Sequence, residues 1–141
     1  MTKPNDRAAL MQKADRALAS ARLLLDAGDT DGACNRAYYA MFDAARAALA
    51  NEVELETTKT HGGLIAAFGL QLVKPGRLPK ALGRMLNRAE EVRLLADYTG
   101  GSVESADARE LLSQAEDFVD AVRNYLDDGS RGTDGTPADH A

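Results

Sequence analysis

Between Asp29 and Ala50 a small residue returns at Ala33, Ala37, Ala40, Ala44 and Ala48. Steps of three and four residues put all five on one side of an α-helix, where their methyl groups let a neighbouring helix come close. A strand would scatter them over both faces. The same rhythm recurs with larger side chains elsewhere, so the chain predicts an all-α fold, an antiparallel up-and-down bundle of about five helices.

The first helix is expected from about Asn5 to Ala27, burying Leu10, Ala14, Ala17, Ala21 and Leu24; Asn5 accepts from its free amides and Gly28 stops it. Asp29 or Thr30 caps the second, which runs to about Ala50 and carries Tyr38, Met41 and Leu49 as bulk. Residues 51–58 read as a loop. Thr57 or Thr58 caps a third helix bearing Leu64, Ile65, Phe68 and Leu72. Gly62 and Gly63 weaken its first turn by ~1 kcal/mol each relative to alanine, which makes sense if a backbone or ligand comes near. The run KPGRLP breaks the chain, and Pro79 suits the first turn of a fourth helix with Leu82, Leu86, Ala89, Val92 and Ala96, ending at Gly100–Gly101. A fifth starts near Ser102 and continues through Leu111, Leu112, Ala115, Phe118, Val119, Val122 and Leu126. Residues 1–128 are expected to form one helical domain. Residues 129–141 lack apolar periodicity and are expected to be a disordered tail.

Composition agrees with this picture. With 26 alanines, no tryptophan and seven aromatics among 141 residues, close helix packing is favoured over a sheet. Cys34 is the one cysteine, so no internal disulfide forms and a reducing compartment is expected. The start, MTKPNDRAAL, lacks the apolar run of a signal peptide, and no stretch reaches the ~20 apolar residues that span a bilayer. The expectation is a cytoplasmic protein with no membrane contact.

A net charge of −5 argues against a general nucleic-acid binder. Its distribution says more: residues 57–93 carry seven bases against two acids, and residues 94–126 carry two bases against seven acids. Either two helices attract one another or the basic stretch forms an anion-binding face.

Three polar groups interrupt the helical pattern. Asn35 and Arg36 stand mid-helix, with Tyr39 one turn beyond Arg36. Lys59 and His61 sit at a helix start, where free amides and the dipole favour an anion. Arg93, Asp97 and Tyr98 close the fourth helix. Each has a plain structural reading: tyrosines at core and rim, a histidine making a local hydrogen bond, a solvated ion pair worth ~0.3–0.5 kcal/mol. Yet Arg93 precedes Asp97, the less favourable order for the helix dipole, so helix stabilisation alone explains this pair poorly.

One histidine and one cysteine in the body are too few for a zinc site, and no acidic run has calcium-loop spacing. The run HGG lacks the frame of a phosphate loop. No metal or cofactor is expected.

Together, NRAYYAMFDAARAAL, KTHGGLIAAF and RLLADY resemble the HEPN family (higher eukaryotes and prokaryotes nucleotide-binding), above all its small stand-alone prokaryotic branch, over roughly residues 8–126. The resemblance implies a two-fold homodimer with a polar cleft at or beside the interface. It also implies a toxin-antitoxin-like module whose partner is a minimal nucleotidyltransferase. RNA-cutting members carry arginine and, after four to six intervening residues, histidine. This sequence has Tyr98, Thr99 and Gly100 in that window after Arg93, and carries instead the Arg-x-x-x-Asp-Tyr form as Arg93, Asp97 and Tyr98.

On that resemblance Arg93 clamps a phosphate, Asp97 orients Arg93, and Tyr98 stacks, donates or accepts a nucleotidyl group. Asn35, Arg36, Tyr39, Lys59 and His61 line the nucleotide or RNA side. Histidine exchanges protons near neutrality, whereas tyrosine, with a pKa of ~10, is a poor base. The alternatives are a metal-independent ribonuclease using Arg93 with Tyr98 or His61, a non-catalytic nucleotide-binding or adaptor module, and a helical dimer whose polar residues only specify pairing.

Overall fold

A computed structural model describes residues 4–54, 58–100 and 102–132. Five α-helices follow one another: α1 Pro4–Asp26, α2 Thr30–Leu49, α3 His61–Phe68, α4 Lys80–Thr99 and α5 Ser105–Gly132. Gly69–Val73 extends α3 as a π-helical turn. The described residues contain no strand.

The α1–α2 turn is built as expected. Gly28 takes φ +88°, open to a residue without Cβ, and the Asp29 carboxylate accepts from the Gly32 amide at 2.8 Å. All five stripe alanines of α2 are buried, and α2 touches each of the other four helices. It is the central element, and its methyl stripe is the reason it can be.

The core joins Met11, Ala14 and Leu18 of α1 to Tyr38, Met41 and Leu49 of α2, with Leu64, Phe68 and Leu72 beneath them. Leu82, Leu86 and Ala89 enter from α4. The α5 face of Leu111, Phe118 and Val122 closes the bundle, its Phe118 ring 5.3 Å from Phe68. Each fully buried large side chain contributes on the order of 1.5–3 kcal/mol. Arg22–Glu116 at 2.8 Å and Arg123–Asp15 at 2.6 Å tie α5 to α1 at the surface, where such pairs add little.

Four boundaries differ from the sequence reading. Thr60 caps α3, its hydroxyl accepting from Gly63 at 3.0 Å; Thr58 is buried instead, and Thr57 lies outside the described residues. Pro79 is the residue before α4, held out of the helix by ψ 150°. The start of α5 moves to Ser105, where Asp31 of α2 accepts from the Val103 amide at 2.9 Å and ties the preceding residues outside the helix. At its other end α5 continues to Gly132, so residues 129–132 are helical where the tail was expected to begin. The rest of that tail and Gly101 lie outside the described residues.

A cluster of Tyr38, His61 and Arg93

Three helices bring one residue each to a common point. Tyr38 projects from α2 on the core side of the alanine stripe and is 0% exposed. His61 is the first residue of α3, carried there by the Thr60 cap. Arg93 comes from the fourth turn of α4, its side chain 13% exposed. The Tyr38 hydroxyl and His61 Nδ1 are 2.6 Å apart, and the Arg93 guanidinium lies over the Tyr38 ring, 5.1 Å from its centroid.

Aromatic rings wall the cluster. Phe42 and Tyr39 of α2 stand 5.0 and 5.8 Å from the His61 ring. The Arg36 guanidinium lies 5.5 Å from the Tyr39 ring centre, the second arginine stacked on a tyrosine in this face. Its Nε is buried and makes no hydrogen bond among the described residues. A buried donor without an acceptor is costly, and Arg46 Nε further along α2 is in the same condition.

Arg93 is held by two carboxylates of its own helix. Its Nε and Nη2 donate to Glu90 Oε1 at 3.2 and 3.0 Å, and its Nη1 donates to Asp97 at 3.2 Å. Arginine has five N–H bonds, so two remain for another anion. Burial works against the Arg93 charge, but the Glu90 hydrogen bonds and charge more than offset it. Burial pushes the Tyr38 phenol well above its ordinary pKa, and the neighbouring Glu90 charge and hydrogen bonding add to this while Arg93 opposes it. Tyr38 therefore stays a protonated donor at physiological pH.

Of the residues expected from the sequence, Arg36, Tyr39, His61 and Arg93 share this face, with Asp97 at its rim. Asn35 is partly buried beside Arg36, and Lys59 is exposed ahead of the Thr60 cap. Tyr98 points away, 83% exposed. A Cβ on Gly62 would meet nothing within 4 Å, so packing within the chain does not require that glycine. Tyr38, Phe42 and Glu90 were not singled out as site residues. The signal for Glu90 was its i−3 spacing from Arg93; Tyr38 reads as core bulk, which it also is.

Next to Phe42 on α2, Asp43 is buried at 7% exposure. Burial raises its carboxyl pKa, countered by Lys13, Arg46 and Arg36. Beyond it a groove of about 900 Å³ is bordered by Leu10, Arg46, Leu49, Val53 and Thr58. No group of three or more metal-ligating side chains occurs among the described residues, and none of their helices is long and apolar enough to cross a membrane.

The HEPN domain profile matches residues 8–125, and the chain belongs to the HEPN family. It is 39% identical to the UPF0332 protein glr0978 of Gloeobacter violaceus, over 83% of this chain and 93% of that one. A UPF0332 protein of Thermotoga maritima is 36% identical over 85% and 90% of the two chains. A Methanocaldococcus jannaschii protein named "Putative toxin MJ0605" is 33% identical over 84% and 87%.

Proposed function

We propose that this chain is the HEPN component of a toxin-antitoxin-like module, acting as a homodimer with an RNA- or nucleotide-directed cleft at the Tyr38–His61–Arg93 cluster. The observation that supports the reading is the meeting of Tyr38, His61 and Arg93 from three helices, with Arg36 stacked on the adjoining Tyr39 ring. Such a face offers what a nucleotide needs: cations and N–H donors for phosphate, and flat rings for a base. The family and the name of MJ0605 support the toxin side of the reading.

The partner in this reading is a nucleotidyltransferase-type protein. The 83% exposure of Tyr98 supports it, because a hydroxyl projecting one turn beyond Arg93 is open to an incoming enzyme. Joint expression with the adjacent gene tests the pair. Co-purification, growth arrest by this chain alone and relief by the partner are the expected results. Clean separation at low salt, with no effect on growth, would count against the module.

The second reading, a non-catalytic nucleotide-binding module, is favoured by one observation. The histidine of the cluster comes from α3 and is bound at Nδ1 by a buried phenol, not supplied by α4 behind Arg93.

A further inference from the structure

The Tyr38 phenol has one proton to give, and its short contact is with His61 Nδ1 at 2.6 Å. Glu90 is engaged with Arg93 through Oε1 and acts on the phenol chiefly by its charge. N–H donors settle about 2.7–3.2 Å from an acceptor, whereas O–H donors come as close as about 2.5 Å. A separation of 2.6 Å therefore suits the phenol donating to the imidazole lone pair, not the imidazole donating to the phenol.

We infer that Tyr38 is a positioning residue that holds His61 as its Nε2–H tautomer, so that the cluster offers an anionic phosphate a fixed N–H donor and not a proton-accepting base. The bond at one ring nitrogen decides what the other can do. Tyr38 is fully buried and His61 only partly so, so Nδ1 is the ring nitrogen held by the core. A fixed N–H at Nε2 adds to the two unspent N–H bonds of Arg93 as a donor to phosphate. The imidazole cannot take the proton of a 2′-hydroxyl at Nε2 unless Tyr38 first gives up its bond. The phosphate part of this inference rests on the nucleotide-directed reading above; the tautomer does not.

Nitrogen-15 NMR of the histidine side chains tests it directly. The full chain carrying His140→Gln leaves His61 as the one histidine signal. Spectra taken at rising pH until the ring signals stop moving report the neutral ring. The expected result is a single tautomer protonated at Nε2, relaxing to a mixture in Tyr38→Phe. The same variant is expected to bind adenosine monophosphate roughly three- to tenfold more weakly. A wild-type ring protonated at Nδ1, or a tautomer unmoved by Tyr38→Phe, would overturn the inference. Should Tyr38→Phe fail to fold, a wild-type ring protonated at Nδ1 or a mixture of tautomers still overturns it. An Nε2–H ring in a protein that binds no adenosine monophosphate at millimolar concentration upholds the Tyr38 assignment and removes the nucleotide reading.

Discussion

The Tyr38 hydroxyl meets His61 Nδ1 at 2.6 Å although 23 residues separate them in the chain. That bond fastens the start of α3 to the middle of α2, and the Arg93 guanidinium closes over it from α4. A core residue and a candidate binding residue are thus one unit, so substitutions here should move stability and binding together unless chosen with care.

Arg93→Ala removes two carboxylate pairs and a cation–π contact, and leaves Glu90 facing Tyr38 unopposed. The expected cost is about 1–2 kcal/mol, read from the midpoint of urea unfolding, with loss of nucleotide binding. Arg93→Lys keeps the charge but not the planar fork, so it should recover part of the stability and little of the binding.

Cys34 gives a pH prediction. The thiol is 1% exposed, and burial, then the charges of Asp31 and Asp107, push its pKa from 9.0 up to about 11. Below pH 9 the thiol is neutral in both states and the stability it contributes is fully present. As pH rises towards 11 the unfolded thiol ionises first, so stability falls, by up to about 2–3 kcal/mol. The difference between wild-type and Cys34→Ala unfolding curves across that range isolates the slope, which the variant should lack. At neutral pH the same variant should cost about 1 kcal/mol for the small cavity.

Ala44 is wholly buried in the α2 stripe. Ala44→Leu should force neighbouring helices apart and cost about 1–3 kcal/mol in thermal or denaturant unfolding. An unchanged midpoint would mean that close approach along this stripe does not limit the fold.

Tyr98→Phe should leave stability within about 0.5 kcal/mol, because the ring is 83% exposed. Intact-mass measurement after joint expression with the partner should show a nucleotide adduct on the wild type and none on the variant. Equal masses for both would remove Tyr98 as the acceptor.

The helical frame was legible because local chemistry sets it. The Ala33–Ala48 stripe, the Gly28 turn and the left-handed Gly100 at φ +73° follow from neighbours in sequence. So does the Arg93–Asp97 pair, which i,i+4 spacing alone predicts. The site was legible only in part. Periodicity assigns Tyr38 to the core but does not say where its hydroxyl goes, and no local pattern states that α3 will set His61 against it. The π-helical turn at Gly69–Val73 carries no spacing signal either, since the same apolar positions fit a continuous α-helix. The Asp31 bond that delays α5 spans 72 residues, beyond the reach of any local rule.

The account turns on whether the face shared by Arg36, Tyr39, His61 and Arg93 receives a nucleotide. Mapping backbone amide shifts on the isotope-labelled protein during titration with adenosine monophosphate, then with a short single-stranded RNA, measures this most directly. The largest changes should fall at those four residues and disappear in Arg93→Ala. No change at them at millimolar ligand, or changes confined to the groove beside Arg46 and Val53, would contradict it.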